Sequence, residues 1–293
     1  MKPINFSHIW LIAKYSVRFS MRNGSGIIFL LTSVLTVLMV AAMFLSPIEA
    51  LIANNDGLAE VTPAQMVQEI GTSEDLASFI NWFLDSESEG QYLLQEKPAL
   101  VSCIFLVLLM LIPYLVIFGS FNQTSGDISN RGLRFLLLRT ERPNIFLGRY
   151  LGTVIFCLST IASSIFLLLI YIHFKLGVYV GFDLFIWGLR GAFAFFALSL
   201  PFIAICAWIS AAIDSPFASL TLSTILIGLG AAFLKVFSTQ LKSDWLNKTF
   251  PTGWKYELLS SDLGVTLIAH GALLLFTVFF LYVGLKKFQT RDL

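Results

Sequence analysis

The fold is decided by Pro98-Ala-Leu-Val-Ser-Cys-Ile-Phe-Leu-Val-Leu-Leu-Met-Leu-Ile-Pro-Tyr-Leu-Val-Ile-Phe-Gly-Ser-Phe121, a stretch without a charged side chain. An α-helix rises about 1.5 Å per residue, so about 20 apolar residues cross a hydrocarbon layer of about 30 Å. This stretch is therefore long enough to span a membrane as a helix.

Five further runs meet the same criterion, and none of the six contains an aspartate or a glutamate. The five runs are Gly26–Leu45, Tyr150–Ile172, Leu184–Ile213, Pro216–Leu234 and Leu263–Leu285. Hydrophobic residues make up 57% of the chain, charged residues 13%, and the mean hydropathy is +0.81. A soluble domain is about one quarter charged. The sequence therefore predicts an all-α, polytopic membrane protein with six transmembrane helices in one domain, residues 1–293.

Lysine and arginine near the helix ends predict the orientation, because cytoplasmic segments are enriched in both. If the N-terminus is cytoplasmic, 12 of the 19 basic residues lie on that side. The segment 47–97, between the first two runs, carries ten acidic residues and one lysine. We therefore expect both termini in the cytoplasm and the segments 47–97 and 235–262 outside it.

The polar segments on either side of the first apolar run have helical periodicity. The cytoplasmic segment 1–25 predicts an amphipathic elbow helix at the membrane surface. Its apolar face would hold Phe6, Ile9, Ala13, Val17 and Met21, and its basic face Lys14, Arg18 and Arg22. In the outer loop 47–97, a capping pattern at Thr62-Pro63 predicts a short helix that ends at Gly71. A second helix is predicted from the spacing of Leu76, Phe79, Ile80, Phe83 and Leu84. Its apolar face would cover the same protein, the membrane or a partner.

The cytoplasmic segment 122–146 carries the densest pattern. An amphipathic helix is predicted over roughly 127–139. Its apolar residues are Leu133, Leu136 and Leu137, and its cationic residues are Arg131, Arg134 and Arg139. Pro143 predicts a break before the third span. Gly148 and Gly152, four residues apart, open that span with small residues that permit close helix packing.

This segment resembles the membrane subunit of type-2 ATP-binding-cassette exporters, the type V exporter fold. The matching positions are Asp127, Gly132-Leu133-Arg134, Leu136-Leu137, Arg142-Pro143 and Leu147-Gly148-Arg149-Tyr150-Leu151-Gly152. The turn from Ser210 to Pro216 and the basic end of the chain, which includes Lys287 and Arg291, agree with the family pattern. Asn130 departs from it, since an acidic residue is frequent there, and the first outer loop is longer than in the simplest members.

The resemblance implies a permease subunit that couples ATP hydrolysis, on a separate ATPase subunit, to export of an unidentified substrate. It implies a second permease copy, identical or a close paralogue, and a bacterial cytoplasmic (inner) membrane. The segment 122–146 would hold the coupling helix. Its ATPase-coupling residues would be Asp127, Arg131, Gly132, Arg134, Leu136, Leu137, Arg139 and Arg142. An inner loop whose arginines only determine topology is the alternative.

Catalytic motifs are missing from the sequence. The phosphate-binding pattern G-x-x-x-x-G-K-[ST] is excluded because no Gly-Lys dipeptide occurs. We therefore expect no enzyme activity and no cofactor on this chain, with ATP bound by the partner. Three scattered histidines predict no metal site, and the absence of a basic block predicts no nucleic-acid partner.

Two other functions remain open at this point. One is a membrane subunit that transmits force to an extracytoplasmic partner at the loop 47–97 without conducting a substrate. The other is an ion-coupled secondary transporter. Such carriers place carboxylates or histidines within the membrane, whereas the runs here hold no carboxylate. Apart from cysteines and tyrosines, the only ionisable side chains well inside a run are those of Arg190 and His270. That composition argues against the ion-coupled carrier.

Overall fold

Six long apolar helices confirm the predicted polytopic architecture. The computed structural model describes residues 5–22, 24–54, 77–78, 80, 84, 87–176, 181–241 and 244–291, which form helices and turns without a β-strand. Helix α1 is Phe6–Arg22. The six spans are α2 (Gly24–Asn54), α3 (Ala99–Ser120), α4 (Arg142–Leu176), α5 (Gly181–Ala212), α6 (Pro216–Leu241) and α7 (Leu263–Gln289).

The helices begin and end outside the apolar runs in several places. Helix α2 continues through Pro47 to Asn54, so the first residues of the predicted outer loop 47–97 are helical. Helix α4 begins at Arg142, before the apolar run that starts at Tyr150. Proline is tolerated in a first helical turn because its missing N–H group would be unpaired there. Pro143 therefore lies in the first turn of α4, and the residues just before Arg142 are not helical.

Helices α3 and α5 form the centre of the bundle. Helix α5 packs along α7 over the longest interface and also contacts α3, α4 and α6. The α3–α5 contact is close: a Cβ added at Gly191 would lie 2.2 Å from the ring of Phe105. That ring also packs edge-on against Phe195, with centroids 5.2 Å apart. Helices α2, α6 and α7 bury a smaller share of their residues and lie at the periphery.

The amphipathic helix α1 packs against α4, on the glycines described below. Two residues of its predicted apolar face, Ile9 and Ala13, are buried together with Ser16. Phe6 and Met21, which also belong to the predicted apolar face, are 81% and 55% exposed. Exposed apolar side chains are expected on a helix that lies at the membrane surface.

The ends of the bundle that carry the predicted outer segments contain short elements. A helix, Glu87–Gln91, continues into a π-helical turn, Tyr92–Glu96. The other segment contains the helix Asp244–Asn247 and two 3₁₀ turns, Pro251–Trp254 and Glu257–Leu259. We call this end the outer face, and the end with α1 and the segment 121–141 the inner face.

The two helices predicted in the loop 47–97 lie mainly outside the described residues. The one predicted at 62–71 lies there entirely. For the second, Ile80 is helical, fully buried and part of the main hydrophobic core, and Leu84 packs against the same core. At these two positions the apolar face covers the protein itself.

Candidate functional site

The inner segment 121–141 contains two short helices, not the single helix predicted over 127–139. They are Ser125–Ser129 and Leu133–Leu137, separated by Asn130, Arg131 and Gly132. Arg131 has φ of 55°, in the left-handed region that L-residues other than asparagine and aspartate seldom adopt. The chain therefore turns sharply at Arg131. Asparagine and glycine, which flank it, are both poor helix formers and readily end a helix.

The first short helix is attached to α5 and α6 by polar contacts. The backbone N–H groups of Thr124 and Ser125 both donate to the hydroxyl of Ser210, each over 2.9 Å. Gln123 donates its amide N–H to the carbonyl of Ile203 over 3.0 Å. From α6, the Ser219 hydroxyl donates to the carbonyl of Phe121 over 2.7 Å. These buried bonds fix the start of the segment, because an unpaired buried polar group is costly.

An ion pair attaches the same short helix to α4. The guanidinium of Arg149 donates to the carboxylate of Asp127. Arg149 is 9% exposed, so its charge lies inside the protein and has a partner of opposite sign there. Arg149 belongs to the motif that opens the third span but was not among the predicted site residues. A cation next to an apolar run was the sequence signal that could have identified it.

The residues that follow α7 pack against the inner ends of α4 and α5. Arg142 donates to the carbonyl oxygens of Gln289 and Arg291, over 2.7 and 2.6 Å. Arg291 donates to the carbonyl of Ala211 over 2.6 Å and forms an ion pair with Asp214. Burial lowers the pKa of the Arg291 guanidinium. Cations near a helix C-terminus satisfy its last carbonyl groups. Arg142, predicted as an ATPase-coupling residue, therefore contacts the end of α7.

Helix α1 packs directly on two glycines of α4, a contact that we call the seat of α1. A Cβ added at Gly148 would lie 2.8 Å from Ile12 Cβ, and one at Gly152 would lie 2.6 Å from Ser16 Cβ. Carbon atoms do not approach so closely, so both positions require glycine for this packing. Gly148 and Gly152, at which the sequence predicted close helix packing, lie against α1 and not against another span.

The second short helix separates buried from exposed apolar residues. Leu133 is 1% exposed, and Leu136 and Leu137 pack partly buried against the base of the spans. Phe135 and Leu138 are 74% and 84% exposed. Arg131, Arg134 and Arg139 are also exposed. We call Phe135, Leu138 and these three arginines the inner patch.

The inner patch was only partly predicted. Its arginines were expected, but its two large apolar side chains were not, because the leucines at 136 and 137 matched the resemblance better. Leu133 is buried against the base of the spans, whereas Phe135 and Leu138 are the exposed apolar side chains of this segment. An exposed aromatic and aliphatic pair rimmed by arginines is typical of a protein-binding surface.

At the outer face, Arg190 and Glu89 connect the loop to the spans. Arg190 donates to the Tyr92 hydroxyl over 2.8 Å and to the carbonyl of Ser260. Glu89 accepts from the Ser260 hydroxyl and the Ser261 N–H group, each over 2.8 Å. Arg190 therefore makes hydrogen bonds that hold the outer loop against the spans.

His270 also makes a local contact. Its Nδ1–H group donates to the carbonyl of Thr266, one turn earlier in the same helix, over 2.7 Å. Within the described part of the chain, no three histidine, cysteine, aspartate or glutamate side chains cluster as a metal site would require. The three cysteines, Cys103, Cys157 and Cys206, are buried in the spans and unpaired. No protein-family model matches the sequence, and no curated protein matches it.

Proposed function

We propose that this chain is the permease subunit of an ATP-binding-cassette transporter and that its inner patch docks onto a separate ATPase subunit. The observation that carries the proposal is the exposure of Phe135 and Leu138 among three exposed arginines, on a segment that the buried Leu133 anchors. Apolar anchors in the centre of such a contact contribute most of the binding energy, and rim charges guide the partner.

The attachments of the segment support a coupling role. Its first short helix contacts α5 through Ser210 and α4 through Arg149. Its second short helix is anchored by the buried Leu133. A push on the inner patch would therefore reach α4 and α5 together, because packed side chains and hydrogen bonds transmit displacement between rigid elements. Two such chains, driven by ATP binding on two ATPase subunits, would move an amphipathic substrate outward.

An open cavity supports a substrate route on the outer side. It measures about 810 Å³ and lies between α3, α6 and the segment 247–257. Its lining combines apolar side chains, such as Leu109 and Ile227, with Tyr114, Lys248 and Glu257. A mixed lining of this kind suits an amphipathic molecule.

Force transmission to an extracytoplasmic partner is a second candidate. Glu89 and Tyr92, at the end of the loop 47–97, bind Ser260 and Arg190 at the outer ends of the spans. A movement of α5 or α7 would therefore reach this loop without a substrate passing through the bundle. An ion-coupled carrier is less well supported, since Arg190 and His270 both make local contacts.

Co-expression of this chain with its neighbouring genes tests the proposal. We expect a purified complex with two copies of each chain that hydrolyses ATP, whereas the isolated chain neither binds nor hydrolyses it. Alanine in place of the phosphate-loop lysine of the ATPase is the control for contaminating activity. ATP turnover by the isolated chain, or the failure of any nucleotide-binding chain to form a complex with it, would overturn the proposal.

A further inference from the structure

Helix α1 carries three cations on the side that is turned away from its seat. They are Lys14, Arg18 and Arg22, which follow one another at intervals of four residues and therefore share one side of the helix. All three are exposed. An α-helix turns about 100° per residue, so these cations lie roughly half a turn from Ile9 and Ala13, which are buried at the seat. We call the three residues the basic stripe.

The basic stripe has no acidic partner within the described part of the chain. The ion pairs between described residues join Arg149 to Asp127, Lys248 to Glu257 and Arg291 to Asp214. None of these pairs includes a residue of the stripe. Neighbouring charges of one sign repel one another and together attract a charge of the opposite sign. The stripe is therefore an accessible binding surface for negative charge.

A row of exposed apolar side chains runs beside the basic stripe. It consists of Leu11, Tyr15 and Phe19, again four residues apart, and these side chains are 67%, 66% and 51% exposed. Contiguous apolar side chains of this size are normally covered by a partner or a membrane. A helix with a cationic side and an apolar side binds in the surface of a bilayer, where anionic lipid strengthens the contact. The combination therefore favours a bilayer surface over a soluble anion.

The position of α1 along α4 places the basic stripe at the level of the lipid headgroups. Near the start of α1, the N–H group of Asn5 donates to the side-chain carbonyl of Asn144 over 3.1 Å. Further along, Ser16 lies against Gly152. The apolar run of α4 begins at Tyr150. Helix α1 therefore runs beside the turns of α4 that precede the hydrocarbon layer and that enter it, and polar headgroups occupy this boundary.

We propose that the basic stripe binds anionic phospholipid, such as phosphatidylglycerol, in the leaflet at the inner face, and that this contact keeps α1 in its seat. The cations would contact the lipid phosphates, and the apolar row beside them would lie against the upper part of the acyl chains. A lysine or arginine near an anionic membrane surface strengthens binding about fivefold. This lipid contact goes beyond the proposed transport function and requires neither ATP nor an ATPase subunit.

The seat connects the lipid contact to the inner segment. Arg149, which lies between the two seat glycines in the sequence, pairs with Asp127 of the first short helix. At the other end of α1, Nδ1 of His8 and the hydroxyl of Thr140 form a hydrogen bond over 3.0 Å. If α1 left its seat, the segment 121–141 would lose support near both of its ends. Anionic lipid would therefore stabilise the segment that carries the inner patch.

Hydrogen–deuterium exchange of the purified full-length chain in lipid nanodiscs tests the proposal, with the amides of α1 followed by mass spectrometry. We compare phosphatidylcholine with an equimolar mixture of phosphatidylcholine and phosphatidylglycerol of the same acyl composition. Exchange in α1 should be at least about fivefold slower in the mixture, and exchange in the segment 121–141 should slow with it. Salt at 1 M should remove most of the difference, because the Debye length falls from about 10 Å at 0.1 M to about 3 Å. Soluble glycerophosphoglycerol, added to phosphatidylcholine nanodiscs, should have no effect.

Two double variants locate the contact. Arg18→Gln with Arg22→Gln removes two charges of the basic stripe and should abolish most of the lipid-dependent difference in α1. Glutamine forms helices about as well as arginine, and both positions are exposed, so the fold should be retained. Lys286→Gln with Lys287→Gln is the matched control, because it removes two exposed cations from the inner end of α7. That variant should keep the full difference in α1.

Several results would overturn the proposal. Equal exchange of α1 in the two kinds of nanodisc would exclude a preference for anionic lipid. A difference that persists without Arg18 and Arg22, or that both double variants lose equally, would exclude the basic stripe as its cause. Protection by glycerophosphoglycerol would replace the bilayer surface with a soluble anion. If the Arg18 and Arg22 variant does not fold, Lys14→Gln decides: it should lose part of the difference, and an unchanged difference would place the lipid contact elsewhere.

Discussion

Arg149, at the inner end of α4, forms a partly buried ion pair with Asp127 of the first short helix. The pair joins residues 22 positions apart in the sequence and connects the segment beside the inner patch to a membrane span. Breaking one partner of such a pair leaves the other charge in a poorly solvated site. The ion pair is therefore the contact whose removal should loosen the inner segment without touching the inner patch.

The first prediction concerns this ion pair. Asp127→Asn should lower the free energy of unfolding by about 1–2 kcal/mol, less than for a fully buried pair because Asp127 is partly exposed. Thermal unfolding of the purified chain in detergent measures this change. Asp183→Asn, the same substitution at an exposed position at the start of α5, should have little effect. Equal shifts for both variants would show that the ion pair contributes nothing specific.

The second prediction concerns the seat of α1. Gly152→Ala places a Cβ 2.6 Å from Ser16 Cβ and 2.8 Å from the carbonyl oxygen of Ala13. Overpacking of this kind costs about 1–3 kcal/mol, and it should be seen as a lower midpoint of thermal unfolding. Gly271→Ala is the matched control, because nothing lies within 4 Å of a Cβ added there. That variant should be as stable as the unmodified chain or slightly more, since alanine favours the helix.

The third prediction concerns orientation. A cysteine at Ser88, at the outer face, should react with a membrane-impermeant thiol reagent in intact cells. A cysteine at Ser129, at the inner face, should react only after the cells are permeabilised. Both residues are exposed, and the three native cysteines are buried, so the unmodified chain should give little background. The reverse labelling pattern would contradict the orientation and the roles that depend on it.

The fourth prediction separates docking from folding. Leu138→Asp should prevent assembly with the ATPase, because a charge would have to be desolvated at the centre of the contact. It should leave the stability of the isolated chain unchanged, because Leu138 is 84% exposed. Leu133→Asp is the comparison: Leu133 is 1% exposed, and that variant should unfold. Co-purification and thermal unfolding give the two readouts. Arg139→Glu, at the rim, should weaken assembly less than Leu138→Asp.

A normal complex from Leu138→Asp would contradict docking at this position. Loss of the fold in that variant would contradict the exposure of Leu138. The two failures are distinguishable, because the first leaves a stable complex and the second leaves no stable chain.

The spans were predictable from the sequence, whereas their contacts were not. Each apolar run is long enough to cross a bilayer, and the backbone must be hydrogen-bonded internally in lipid, so a helix follows from length and composition. Gly148 and Gly152 indicated close packing but could not name the partner, since a pair of small residues fits any helix surface. The partner is α1. Its buried residues are Ile9, Ala13 and Ser16, because these are on the side of α1 that contacts the two glycines.

The inner segment shows a second limit of the sequence pattern. Leucines at 133, 136 and 137 fit one amphipathic helix over 127–139, and the turn at Arg131 was not foreseen. Asn130 and Gly132 carried that signal. The exposure of Phe135 and Leu138 depends on how the second short helix rests on the base of the spans. Periodicity within one segment cannot specify that tertiary contact.

The most direct test of docking at the inner patch is site-specific photo-cross-linking in cells that express the chain with its neighbouring genes. A photoreactive amino acid is placed at Leu138, and one at Phe174, which is 82% exposed near the outer end of α4, is the control. We predict a covalent adduct from position 138, but not from 174, with a protein that carries the phosphate-binding pattern G-x-x-x-x-G-K-[ST]. No adduct at 138, or an adduct only with proteins that lack a nucleotide-binding motif, would contradict the account.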